Sequence, residues 1–138
     1  MAGYSNTPLI KKLGIKEGFR CALINSPKDF QKNELCELPA KVIIADRAAT
    51  DLDFILFFTR SASVLSEQIT ILASKLKSNG MLWVSWPKKS SGVQTDLSFD
   101  QVQRLGLDAG LVDVKICAVN DIWSGLKFVY RVKDRPRR

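Results

Sequence analysis

The apolar residues of this chain fall mostly into short runs, at residues 19–25, 42–45, 53–59 and 81–86. Largely apolar runs of that length suit strands buried on both faces, as in parallel sheets. Between the last two runs the period changes. Leu65, Ile69, Leu72 and Leu76 fall at i, i+4, i+7 and i+11, one apolar face of a helix over residues 62–77. Asn79-Gly80 supplies its stop. Near the end the period becomes two. Val112, Val114, Ile116 and Ala118 share one face, and so do Leu126, Phe128, Tyr130 and Val132. Only a few turn-like residues separate these two strands, which predicts an antiparallel hairpin.

Punctuating residues complete the elements. Thr7 and Pro8 open a short helix that Gly14 ends. Ser26-Pro27 opens a second helix reaching Cys36, with Asp29 placed to complete an acidic capping box and Pro39 beyond its end. Ser98 and Gln101 form a capping box for a helix from about residue 99 to 109, which Gly110 ends. The order is helix, strand, helix, strand, strand, helix, strand, helix, hairpin. Such alternation predicts an α/β fold with a mainly parallel sheet covered on both faces and closed by a C-terminal antiparallel hairpin. Residues 1–132 read as one domain and residues 133–138 as a basic tail.

Composition changes this picture mainly by exclusion. The 138 residues suit one domain, and 46% hydrophobic with 25% charged residues is a globular balance. There is no histidine, which excludes Ser-His-Asp and Cys-His catalysis and histidine-held metals. Cys21, Cys36 and Cys117 are widely spaced and form no CxxC pair, so they read as buried free thiols in a reducing cytoplasm. No secretory signal opens the chain, and no apolar run approaches the ~20 residues of a membrane span. The net charge of +7 belongs to the ends: +3 over residues 1–20, +4 over 131–138 and zero between. Basic ends leave weak, salt-sensitive nucleic-acid binding open, although a solvated terminus that aids solubility is the preferred account of them. The final strand, read as a sheet edge, leaves self-association open and the oligomeric state undecided.

The polar loop at residues 87–96 follows a buried strand, and so falls at the carboxyl edge of the sheet, where open α/β folds bind ligands. Lys88 and Lys89 attract an anion there, Ser90, Ser91 and Thr95 can donate hydrogen bonds, and Gly92 permits close approach. Asp96 can accept from a ligand or orient Lys89. An anionic small molecule or nucleotide suits these groups. The loop lacks the glycine-rich lead of a P-loop, and a solvated connection whose Thr95 or Asp96 caps the next helix accounts for it as well. Trp123, beside Ser124-Gly125, either offers a stacking face to a ligand or closes one end of the core. Trp83 and Trp86 fall on opposite faces of their strand, with Trp86 partly covered. Ser85, Ser90 and Ser124 have no histidine base, which leaves hydrolysis without support.

Several segments carry a resemblance. Residues 53–59, the helix after them, and Leu76-Lys77-Ser78-Asn79-Gly80-Met81-Leu82-Trp83-Val84 resemble the closing half of the class I S-adenosylmethionine-dependent methyltransferases. Ser78 and Asn79 stand where that family's turn has proline and its first glycine. Ala109-Gly110-Leu111-Val112-Asp113-Val114 resembles the family's next helix-to-strand turn. More closely, residues 3–132 resemble an uncharacterised family of short bacterial proteins. The matching segments are Thr7-Pro8-Leu9, Lys12-Leu13-Gly14-Ile15, Trp86-Pro87-Lys88-Lys89, Thr95-Asp96 and Trp123-Ser124-Gly125-Leu126-Lys127. That closer likeness implies a fold and no activity.

The resemblance implies a Rossmann-like, methyltransferase-like three-layer sandwich, with S-adenosylmethionine as the cofactor to test. Such a site needs a glycine-rich turn after the first strand, so that backbone can approach the ligand. Here that turn is Asn25-Ser26-Pro27-Lys28-Asp29, without glycine and with φ fixed at Pro27. Asp46 lies 20 residues after Ser26, at the end of the next strand, where an acidic residue of the family holds ribose hydroxyls. An aspartate at a strand end also commonly starts a turn. The leading expectation is a binding domain without catalysis and without a retained cofactor, holding an anionic group at the carboxyl edge. The alternative is a divergent methyltransferase using Asp46.

Overall fold

The computed structural model describes residues 8–132. Its elements are α1 (Leu9–Leu13), β1 (Arg20–Ile24), α2 (Phe30–Glu34), β2 (Ile43–Ala45), β3 (Leu52–Phe58), α3 (Ala62–Ser74), β4 (Leu76–Pro87), α4 (Phe99–Asp108), β5 (Leu111–Ala118) and β6 (Trp123–Tyr130). A single turn of 3-10 helix, Lys89–Ser91, stands between β4 and α4. The sheet has six strands in the order β2-β1-β3-β4-β6-β5. The first four are mutually parallel, and β6 is antiparallel to both β4 and β5.

Strand β3 shows what an unbroken apolar run is for. Ile55 and Phe57 face the core beneath α3 and α4, together with Leu65, Ile69, Leu72 and Val102. Phe54, Leu56 and Phe58 face the opposite core, with Leu13 of α1 and Phe30 of α2. All five β3 side chains are buried. Each apolar side chain so buried contributes roughly 1.5–3 kcal/mol. The helices therefore cover both faces of the sheet, as the alternation of elements predicts. No helix among the described residues is long and apolar enough to cross a membrane.

Several local expectations are corrected. Helix α3 stops at Ser74, and Asn79-Gly80 lies inside β4. Leu76 pairs with Leu52 and Met81 with Phe54, so the register slips between them. A Cβ on Gly80 would lie 2.8 Å from the Leu52 carbonyl oxygen, so glycine is there for close strand approach and not to stop a helix. The capping box of Ser26 and Asp29 does not form. Asp29 adopts φ 61 and its side chain caps nothing, and α2 runs only over Phe30–Glu34. Pro8 precedes α1 as its N-cap, and Thr7 lies outside the described residues. Gly14 does end α1 at φ 84, and the Ser98 hydroxyl does cap α4 by accepting from the Gln101 N–H.

The hairpin is antiparallel, but β5 is the edge strand and β6 is interior. A bulge between Asp113 and Lys115 shifts the side-chain phase of β5. The apolar face read from the alternation of β5 is therefore broken, and Val114 and Ile116 are each 53% exposed. Cys21 is buried as expected, Cys117 is half-buried, and Cys36 is exposed. Trp86 is buried, and not partly covered.

Candidate functional site

The strand order reverses between β1 and β3: β2 follows outward from β1, and β4 from β3. Helices on the two faces diverge at such a point, and a crevice opens beyond the carboxyl ends of the strands. A cleft of about 800 Å³ lies there, within the usual size of a small-molecule site. Asn25 and Pro27 enter it from the end of β1, and Thr59, Arg60 and Ser61 from the end of β3.

The floor is aromatic. The Phe58 and Trp123 rings meet edge to face, with centroids 5.1 Å apart and planes at 88°. Phe58 also meets Phe30 edge to face at 4.9 Å. Phe58 is fully buried, whereas Trp123 is half-buried and so keeps part of its ring toward the cleft. Trp123 thus packs against Phe58 and also lines the cleft.

The rim is polar and tightly bonded. The Thr95 hydroxyl donates to the Arg60 carbonyl at 2.7 Å and accepts from the Leu97 N–H at 3.1 Å. An Asp96 carboxylate oxygen accepts from the Ala62 N–H at 2.8 Å, and the Ser61 hydroxyl accepts from the Val64 N–H at 3.3 Å. Two donors at the start of α3 are therefore satisfied by protein, and a carboxylate lies at the positive end of the helix. The loop before α4 is pinned to the β3–α3 junction as a result. Arg60 is exposed, and its guanidinium takes part in no salt bridge among the described residues.

Of the residues singled out from sequence, Thr95, Asp96 and Trp123 come together in the cleft lining. Lys88, Lys89, Ser90, Ser91 and Gly92 form the neighbouring turn and are not part of that lining. There the Ser91 hydroxyl donates to the Lys88 carbonyl at 2.6 Å, and Gly92 closes the turn at φ 76. Asp46 is exposed after β2 and accepts from the Ala48 N–H at 2.8 Å, the turn-starting role open to a strand-end aspartate. It too lies outside the cleft lining. Asn25 enters only through the turn that the resemblance points to, and sequence pattern alone does not mark Thr59, Arg60 or Ser61 as site residues. Their signal is the adjacency of β1 and β3, which appears only when the strand order is known. Among the described residues no cluster of three or more His, Cys, Asp or Glu is placed to hold a metal ion.

No family model matches the chain, and no curated protein matches it either. Solved structures do. A magnesium protoporphyrin IX methyltransferase from Synechocystis PCC 6803 with bound SAH (S-adenosylhomocysteine) superposes with TM-score 0.58 at 10% identity, over 89% of this chain and 78% of that one. A SAM-dependent methyltransferase from Aquifex aeolicus gives TM-score 0.59 at 14% identity, over 87% and 86%. A TehB-like SAM-dependent methyltransferase from Corynebacterium glutamicum gives 0.52 at 12% identity, over 94% and 91%. This chain has a methyltransferase-like fold.

The cleft can be tested against an adenosyl group on its own features. Its volume suffices, and Trp123, Pro27 and Val64 give it an apolar side. Asn25 takes the left-handed conformation, φ 58, at the end of β1. Asparagine reaches that region more readily than most residues, so the sharp turn forms without glycine. The residues present fit the group in size, polarity and position.

Proposed function

We propose that the cleft at the β1–β3 reversal binds S-adenosylmethionine, and that the protein is a divergent methyltransferase. The observation that carries this reading is the cleft itself, at the strand-order reversal of a methyltransferase-like sheet. When bound, S-adenosylmethionine supplies a sulfonium methyl group that a nucleophile can accept. Trp123 and Pro27 provide the apolar wall, Asn25 the turn beside the ligand, and Thr59 and Ser61 polar groups at the end of β3. Asp46, one strand further out and beyond the cleft lining, is proposed for the ribose hydroxyls through the carboxylate oxygen that its turn bond to the Ala48 N–H leaves over.

A second reading is non-catalytic binding of an anionic small molecule or nucleotide. It is supported by Arg60, a cation of the cleft lining without a salt bridge among the described residues. A thermal-shift and calorimetric titration separates the two. Under the first reading, S-adenosylmethionine and S-adenosylhomocysteine both raise Tm, by about 2.7 kcal/mol of stabilisation at a hundredfold excess over Kd. Trp123→Ala and Asp46→Ala weaken that binding. A shift with phosphate or nucleotides, together with silence from both adenosyl compounds, would overturn the methyltransferase reading in favour of the anionic one.

A further inference from the structure

Well along β6 from the cleft, Lys127 stands directly opposite Lys115 of β5 as its register partner. Like charges facing each other across a sheet destabilise it. The pair exists because of the β5 bulge. Asp113 pairs with Phe128 and shares its face, but after one extra residue Lys115 is turned to the other face, beside Lys127. Two more lysines join them from the N-terminal side. The Lys115 ammonium donates to the Lys12 carbonyl at 2.9 Å, and Lys16 follows shortly after α1.

None of the four ammonium groups takes part in a salt bridge among the described residues. Lys127 is half-buried, its ammonium close to Gly14 at the end of α1. Burial holds its pKa below the usual lysine value, and Lys115 and Lys16 push it in the same direction. Lysines 12 and 115 likewise act on the half-buried Cys117 thiol, against the upward push of its burial. A fold that needed only solubility would spread these charges. Here chain segments about a hundred positions apart converge to crowd them. The four come from α1, the turn after it, β5 and β6, along a sheet face instead of around a closed pocket.

We propose that Lys12, Lys16, Lys115 and Lys127 form a docking face for the sugar–phosphate backbone of a nucleic-acid strand. The phosphates supply the negative charge that the protein leaves out, at closely and regularly spaced positions. Lys115 and Lys127 of this face stand on strands of the sheet, Lys12 and Lys16 on α1 and the turn after it, and none of the four lines the cleft.

The test is fluorescence anisotropy of a labelled single-stranded RNA of mixed sequence, titrated with the full-length protein across a series of KCl concentrations. Each phosphate that the protein no longer neutralises lowers the slope of log K against log salt by about 0.7, so Lys115→Gln with Lys127→Gln lowers it by about 1.4 and weakens binding. The matched double change to arginine keeps binding. Lys127→Gln alone melts at or above the wild-type temperature, because the repulsion is relieved. A lower melting temperature would make Lys127 a structural pin and overturn the proposal. An unchanged slope in the double glutamine variant would do the same, especially if Arg135→Gln, Arg137→Gln and Arg138→Gln together abolish binding. A Lys127-dependent thermal shift with inorganic phosphate, without RNA binding, would replace the strand by a free phosphate and also overturn it.

Discussion

The indole N–H of Trp83 donates a 2.8 Å hydrogen bond to the Leu13 carbonyl, joining β4 to the end of α1 across 70 positions of sequence. Both residues are fully buried. A five-residue helix has little stability of its own, so α1 holds its place through this bond and the packing of Leu13. Gly125 of β6 makes room for the same ring, because a Cβ there would lie 3.1 Å from it.

Trp83→Phe keeps most of the apolar area but leaves the Leu13 carbonyl without its donor. An unsatisfied buried acceptor costs about 1–3 kcal/mol, and the smaller ring adds a cavity term. Urea unfolding is expected to show a loss of at least about 2 kcal/mol. Amide exchange in α1 should rise more than in α3. Equal protection changes in both helices would deny Trp83 its local anchoring role.

Gly106→Ala sets helix propensity against packing. In an open helix the change gains about 1 kcal/mol. In α4 a Cβ at Gly106 would overlap the buried Phe128 ring. Overpacking of this kind costs about 1–3 kcal/mol or more, so the variant is expected to be less stable than wild type. Phe128→Leu should recover part of the loss in the double variant, because the two changes share one contact. Additive losses would show that the contact is not shared.

The runs at 53–59 and 81–86 make the parallel core legible, because a strand buried on both faces leaves few polar positions to disguise it. Their unequal pairing is not legible. Asn79-Gly80 has the local chemistry of a helix stop, and only the carbonyl of Leu52, remote in sequence, makes Gly80 a strand residue. The cleft is legible in part for a similar reason. Thr95 and Asp96 announce themselves as polar loop residues near a strand end. Asn25 stands in the turn that the resemblance marks, but Arg60 becomes a site residue only through the pairing of β1 with β3. A single bulge undoes the alternation read along β5, since one extra residue reverses every side chain beyond it.

Asp96 caps α3 from a distant loop, and the cap needs an acceptor more than a charge. Asp96→Asn keeps an oxygen for the Ala62 N–H, so its stability is expected to stay within about 0.5 kcal/mol of wild type, the loss being the charge–dipole part. Asp96→Ala removes the acceptor and is expected to lose about 1 kcal/mol. If the asparagine variant falls as far as the alanine one, charge and not hydrogen bonding holds this junction. Chemical denaturation of the three proteins in low and high salt decides it, because only the charge component is screened.

Cys21 makes the fold sensitive to alkali. Burial pushes its thiol from an ordinary 9.0 up to about 12, and the nearby Asp53 carboxylate adds to the rise. A group whose folded pKa is raised contributes stability that is fully present below its unfolded value. From about pH 9 upward the unfolded chain loses this proton while the folded chain keeps it, so stability falls by up to about 1.4 kcal/mol per pH unit until the folded value is passed. The Cys117 thiol, also raised, acts in the same direction. Lys127, whose pKa is lowered, acts oppositely: its penalty is present at lower pH and is relieved as pH rises through its folded value. The clean measurement is therefore a difference. Urea midpoints of wild type and Cys21→Ala, taken at a series of alkaline pH values, should converge as pH rises, because the variant lacks the term that wild type is losing. Parallel curves would mean that the thiol ionises in the folded chain as readily as in the unfolded one, and that burial at the β1 core does not keep it neutral.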